Sequence, residues 1–261
     1  MIGLFLGDTD FSEIVLNKIK KIKKKYFIID FSKNSKFKKN KYSQRISIGK
    51  FVKILNLIKE KKSKKVLFAG KIAKPKFSSL RLDLKGIYYM PSVIKAAKKG
   101  DAAIIKVIIK ILNNEGIKVI SSIYFNPELA LKSGIYTKLK PNNKDLVSID
   151  TGIKYFNKLN DLDHVQALVV SDSKIVAKEE REGTRKMLVK LKKKTQGILI
   201  KFPKKKQDLR MDLPTIGLQT LMDCNKYGLK GIILKSKKNI ILEKAKCIHF
   251  ANKNRMFIKV V

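Results

Sequence analysis

The sequence predicts an α/β fold in two parts, a doubly wound parallel sheet followed by a distinct second α/β domain. Three observations carry this. Short, uninterrupted apolar runs alternate with segments of helical period through the first 125 residues. A stretch dense in turn residues then interrupts the pattern, and a second series of short apolar runs and helices follows. With 261 residues, 44% of them hydrophobic, the chain can bury a substantial core.

The first apolar run, 2–6, ends in Gly7 and the polar turn Asp8-Thr9-Asp10, and Ile14, Leu16, Ile19 and Ile22 then recur as on a helix. Residues 26–29 read as a second strand, 51–58 as a helix, and 66–69 as a third strand closed by Gly70. A long loop carrying Pro75 and Pro91 is expected next, then a helix over 101–113, a break at Gly116 and a strand over 118–121. Residues 125–143 hold Pro127, Gly134, Pro141 and paired asparagines, which marks a linker. The expected division is a first domain over 1–128, a linker over 129–143 and a second domain over 144–261. That second domain reads as a helix (145–159), two strands joined by a tight turn (165–170 and 174–177) and a helix from Gly183. A strand (197–202), a polar loop to Pro214, a helix (218–226) and three short strands (232–234, 240–242 and 256–260) complete it.

The formal net charge of +39 suggests a polyanion, either nucleic acid or an anionic membrane surface. Its distribution points elsewhere: lysines occur in nearly every segment while arginines number six, the pattern of a lysine-rich composition rather than a reading face. Lysines interrupt every apolar run, so no segment is predicted to span a membrane, and 1–6 lacks the basic stretch of a secretory signal. Cys224 and Cys247 suit a reducing compartment, which makes the expected location cytoplasmic.

The densest polar constellation is Lys206-Gln207-Asp208-Leu209-Arg210-Met211-Asp212-Leu213-Pro214. In an extended segment Asp208, Arg210 and Asp212 project to one side. Magnesium takes one or two carboxylates plus phosphate oxygens, so this loop suits a diphosphate; residue types alone favour the other reading, an N-cap aspartate with a surface ion pair. Glu179-Glu180-Arg181-Glu182-Gly183-Thr184-Arg185 offers backbone amides, a hydroxyl and acids to a phosphate or metal, or is a capped helix after a charged turn. Gly7 and Gly70 end strands that border a ligand crevice in such sheets, where Lys71, Lys74 and Arg81 reach phosphates or head groups. Gly7-Asp8-Thr9-Asp10-Phe11-Ser12 is no GxGxxG, so a nicotinamide or flavin site is rejected. Cys247-Ile248-His249 lacks the third ligand that zinc needs.

Five ordered motifs together resemble one family. Phe68-Ala69-Gly70-Lys71-Ile72-Ala73-Lys74-Pro75 is similar to AGxxxRP, and Lys99-Gly100-Asp101 leading to Asn114-Glu115-Gly116 is similar to a GDD-helix-EG pattern with Ala102 at the second aspartate. Asp163-His164-Val165-Gln166-Ala167-Leu168-Val169-Val170 resembles DVGQAVVV, Glu182-Gly183-Thr184 with Met187-Leu188 resembles EGTDAML, and 207–217 resembles QDxRxDLPxIG. These are the motifs of the magnesium-dependent, two-domain UDP-2,3-diacylglucosamine pyrophosphatases of lipid A synthesis. The resemblance implies a Rossmann-like N-terminal domain, a distinct C-terminal α/β domain and a lipid sugar bound between them. The implied reaction is hydrolysis to 2,3-diacylglucosamine 1-phosphate and UMP. Asp212 and Asp208 are then the expected catalytic and magnesium-holding residues, with Arg210, Lys71, Gly7, Gly70, Gly183 and Thr184 on the substrate. Arg185, where the pattern has aspartate, departs from it. Expected partners are the amphiphilic UDP-sugar lipid and the anionic inner face of the inner membrane, peripherally, with no specific nucleic acid; a homodimer stays open. The alternative is a basic nucleic-acid-binding protein without activity, for which Tyr88-Tyr89 is the one aromatic pair among lysines.

Overall fold

A computed structural model describes residues 1–73, 75–159, 165–180, 182–192, 195–205 and 207–261. The expectations for Lys74, Asp163, His164, Arg181 and Lys206 lie outside them. The chain forms two compact units: Met1–Pro127 together with Asp208–Asp212, and Glu128–Gln207 together with Leu213–Val261.

In the first unit the elements run β1 (Ile2–Leu6), α1 (Asp10–Lys21), β2 (Tyr26–Asp30), β3 (Ser43–Gln44), α2 (Phe51–Glu60), β4 (Lys65–Ala69), α3 (Leu84–Lys99), α4 (Asp101–Asn114) and β5 (Lys118–Ile120). The strands lie in the order β3-β2-β1-β4-β5, all parallel, with Leu4 opposite both Ile28 and Leu67. Every residue of β1 is buried, as a parallel strand covered on both faces requires. α1 covers the sheet with Phe11, Val15, Leu16 and Ile19, while Ile54, Ile58, Ile109 and Leu112 of α2 and α4 pack on Phe5, Phe27, Ile29 and Phe68.

Pro91 lies inside α3, not in a loop. A proline there removes one helical donor and leaves the Ile87 carbonyl without its partner. Both residues are on the exposed side of the helix, so that carbonyl is not shut into the core. Asp83 starts this helix and steadies its neighbour: its Oδ1 accepts from Gly86 N (2.9 Å) and its Oδ2 from Val52 N (2.8 Å). Met90 and Val93 pack against Phe51 of α2 and Ile111 of α4, making α3 an outer layer over those two helices.

Glu115 ties α3 to the end of α4. Tyr89 Oη donates to its Oε1 at 2.7 Å, and Lys85 Nζ bonds the same oxygen. The bond to Glu115 pushes Tyr89 up to about 12, and Lys85, then Tyr89, hold the Glu115 carboxyl below its ordinary value. Folding therefore favours the protonated phenol. Its stabilisation is complete below pH about 10 and disappears as pH rises towards about 12. Glu115 acts at the acid end, where stabilisation is lost as pH falls through its lowered value. Tyr89→Phe is expected to flatten the fall in melting temperature between pH 10 and 12 relative to the parent protein; an identical slope refutes the assignment.

The second unit contains β6 (Gly134–Ile135), α5 (Asn143–Lys158), β7 (Ala167–Ser171), β8 (Lys174–Lys178), α6 (Thr184–Val189) and β9 (Ile198–Lys201). It continues with β10 (Thr215–Ile216), α7 (Leu218–Lys226), β11 (Gly231–Leu234), β12 (Ile240–Ile241), α8 (Lys244–Lys253) and β13 (Phe257–Val260). Its main sheet is mixed, in the order β6-β13-β11-β9-β7-β8, with β9, β11 and β13 parallel and the other neighbours antiparallel; β10 and β12 form a separate parallel pair. Positive φ at Asp172 (47°) and Ser173 (59°) makes the tight hairpin between β7 and β8. One face of the sheet packs on α5 through Ile149, Ile153 and Phe156, the other on Met187, Leu221, Cys224, Cys247 and Ala251 of α6, α7 and α8. Residues 129–143, expected as a linker, belong to this unit: Leu131 is buried in its core, Ala130 bridges to Ile240, and β6 pairs with β13.

Candidate functional site

The strand order of the first unit reverses between β1 and β4, and the carboxyl ends of the strands at such a point form the crevice where α/β sheets bind ligands. Gly7 and Gly70 sit there, and backbone bonds lace their two loops together: Gly7 N donates to Ala69 O and Asp8 N to Lys71 O, both at 2.9 Å. The approach is close enough that a Cβ on Gly7 meets Lys71 O at 2.3 Å. The Ser12 hydroxyl lies 2.9 and 2.8 Å from the carbonyls of Gly7 and Ala69 and shares its single proton between them. The two glycines thus act by letting backbones meet, and the exposed Lys71 is the cation they present.

Asp208–Asp212 leaves the second unit's sequence to become part of the first. Arg210 O accepts from Ser122 N (2.7 Å), just beyond the end of β5, and Met211 packs against the core of the parallel sheet. The segment is a helical turn, with Asp212 N donating to Asp208 O at 3.0 Å, and not the extended stretch expected. Arg210 folds back on Asp208: Nε donates to Oδ1 at 2.9 Å and Nη2 to Oδ2 at 2.6 Å. This fork holds the Asp208 carboxyl below its usual range and the guanidinium above its own. The expected surface ion pair is therefore present, while the helix-cap reading of this segment is not: α7 starts at Leu218 with Gly217 as its cap.

Gly183 and Thr184 belong to the second unit. Gly183 is the residue before α6, and Thr184 Oγ1 donates to Glu179 Oε1 (3.0 Å) while accepting from Lys201 Nζ (3.1 Å). Glu179 is only 9% exposed, and its Oε2 has no hydrogen-bond partner among the described residues. Glu179 and Lys201 are residues that the sequence reasoning missed. Nothing in Glu179-Glu180-Arg181-Glu182 marks the first acid as the inward one, since burial follows from where β8 ends. The outer acids are held by lysines, Glu182 by Lys186 and Lys190 and Glu180 by Lys190, and Arg185 lies 3.6 Å from Asp223. Beside α6 a cavity of about 760 Å³ mixes apolar walls, Val176, Ala177, Met187 and Leu191, with Lys178 and Lys190. Cys247 is buried and His249 exposed on α8, so the two face apart.

Among the described residues no three metal-ligating side chains gather. Both Asp208 oxygens are turned to Arg210, and Asp212 is the other carboxylate of this turn. Such a donor set does not make a protein cage. It fits magnesium carried largely by waters and the phosphate oxygens of a substrate, with Asp212 as the protein's contribution.

Family models match almost the whole chain, the LpxI N-terminal domain over residues 1–129 and the LpxI C-terminal domain over 132–259. The chain belongs to the LpxI family. Among curated proteins it is similar to the UDP-2,3-diacylglucosamine pyrophosphatase LpxI of Caulobacter vibrioides, with 30% identity over 223 residues, 82% of this chain and 80% of the relative. The hydrolase class expected from the motifs agrees with that relative's name. Among the described residues of this LpxI-family chain, no helix is long and apolar enough to cross a membrane.

Proposed function

We propose that this chain hydrolyses the diphosphate of UDP-2,3-diacylglucosamine to UMP and 2,3-diacylglucosamine 1-phosphate in lipid A synthesis. The observation that carries the reading is the turn Asp208–Asp212 built into the carboxyl end of the parallel sheet, with the Lys71 loop beyond the adjacent strand. Hydrolysis of a phosphoric anhydride needs charge neutralisation and an oriented water more than covalent chemistry. Lys71 and the Arg210 guanidinium neutralise phosphate oxygens, Asp208 fixes the guanidinium's plane, and Asp212 orients the attacking water. Magnesium, when bound with the substrate at Asp212, supplies Lewis-acid stabilisation of the charge on the leaving phosphate. The second unit, taken by itself, offers Thr184, held between Glu179 and Lys201, and apolar walls beside α6, groups of the kind that a sugar and acyl chains take. Water adds to one phosphorus as the bridging P–O bond breaks, the two phosphates leaving on separate products. Because the substrate is anchored in a lipid layer, the reading carries with it work at the cytoplasmic face of the inner membrane.

The test is release of UMP from UDP-2,3-diacylglucosamine by the purified chain, with and without magnesium. Turnover with the metal and its loss in excess chelator are expected. Undiminished turnover in chelator overturns the metal's part, and no UMP under either condition overturns the reaction.

A further inference from the structure

The helix α3 carries apolar residues on two sides. Gly86, Met90, Val93 and Ala96 are buried on one side. On the other, Leu84 is 83% exposed, Tyr88 77%, Ile87 59% and Ile94 38%, with the exposed Pro91 among them. At 3.6 residues per turn these five occupy one stripe about 120° wide. A soluble helix with one face packed ordinarily turns a polar face to water, and no other helix of the described residues exposes four large apolar side chains.

The charges around the stripe identify its cover. Lys95, Lys98 and Lys99 are exposed at the helix's C-terminal end, and Lys76 and Arg81 are exposed just before its start. Two of the nearby acids are used internally: Asp83 caps two helices and Glu115 bonds Lys85 and Tyr89. An apolar stripe bordered by exposed cations matches one partner chemically, the headgroup and upper acyl region of an anionic phospholipid layer. A polybasic nucleic-acid surface has no use for Leu84, Ile87 and Ile94. We infer that α3 is a membrane-docking helix, lying in the plane of an anionic bilayer with Leu84, Ile87, Tyr88 and Ile94 in the acyl boundary and its lysines on the phosphates. The inference rests on the reading above only in that the partner is a lipid layer. Vesicle binding and turnover are separate readouts, so each fails on its own.

The experiment is flotation of the full chain with phosphatidylcholine vesicles, with and without about one third phosphatidylglycerol, near physiological salt. Strong preference for the anionic vesicles is expected. Leu84→Ser/Ile87→Ser/Tyr88→Ser should lower that binding at least about tenfold, with unchanged melting temperature and unchanged turnover of detergent-dispersed substrate. Lys95→Glu/Lys98→Glu/Lys99→Glu should lower it similarly. The same charge reversal at the exposed Lys20, Lys21 and Lys24, remote in sequence from α3, should lower it much less. Equal losses from the two charge reversals, or full vesicle binding by the serine variant, overturn the proposal in favour of diffuse charge attraction. A parent dimer that the serine variant dissociates, with vesicle binding intact, overturns it in favour of a second copy. Tight binding of a single-stranded RNA that the Tyr88 substitution abolishes overturns it in favour of nucleic acid.

Discussion

Asp212→Ala is expected to reduce turnover on the order of a thousandfold while substrate still binds. The turn that presents Asp212 is held by backbone bonds, Asp212 N to Asp208 O and Ser122 N to Arg210 O, and by Met211 in the core. None of these needs the Asp212 carboxylate. Asp212 is half-buried, so removing its carboxylate is expected to cost about 1–2 kcal/mol of stability without unfolding the chain. On the proposed reaction, most ground-state affinity is expected from the acyl chains and the uracil base, which lie away from the bond that breaks, whereas neutralisation of the leaving phosphate peaks in the transition state. Rate and affinity are thus expected to separate. Single-turnover UMP release, substrate binding by calorimetry and the melting temperature of one preparation decide it. A variant with normal turnover removes Asp212 from the mechanism, and one whose rate loss follows the loss of folded protein makes its role structural.

Gly70→Ala is expected to be among the most damaging single substitutions for folding, at about 2–4 kcal/mol. Two costs combine. Gly70 has φ +80°, where a Cβ crowds its own backbone, and the new methyl carbon falls 2.1 Å from Ser12 Oγ, 3.0 Å from Thr9 Oγ1 and 3.3 Å from Gly7 C. Ser12 is fully buried, so swinging its hydroxyl aside abandons two carbonyls without solvent to replace it. Gly116 supplies the control: its φ is +76°, yet a Cβ there meets nothing within 4 Å. Gly116→Ala should then cost only the backbone strain, about 1–2 kcal/mol. The difference between the two isolates the clash, and Ser12→Ala in the Gly70→Ala background should recover part of it. Equal melting temperatures for Gly70→Ala and Gly116→Ala contradict this account.

Parallel strands were the most legible part of the fold, because burial on both faces writes them as unbroken apolar runs such as 2–6 and 66–69. The two-residue strands β3, β6 and β10 are too short to carry a period. α8 escaped notice because only Cys247 and Ala251 of its ten residues are buried. Pro91 misled for a physical reason, since the rule against helix-interior proline weighs most on a packed face, and Pro91 lies on the exposed side of α3. Within the site, the types and spacing of Asp208, Arg210 and Asp212 were legible, and their geometry was not. Alternation of Leu209 and Met211 with polar neighbours looks like a strand, yet a backbone bond four residues back closes a turn. Glu179 and Lys201 were invisible because their meeting at Thr184 depends on how β8, α6 and β9 pack.

The five residues that the later sequence contributes to the first unit also set an order in time. A ribosome finishes residues 1–127 long before residue 212 is made, so the parallel sheet collapses while lacking the segment that Ser122 and the core will receive. That vacancy closes only after some eighty intervening residues are synthesised, at a few seconds' delay for ordinary elongation rates. The carboxylate proposed to carry the chemistry arrives with that last piece. A nascent or truncated chain consequently owns the parallel-sheet scaffold but lacks the carboxylate assigned to cleavage, so activity is expected only once most of the protein exists.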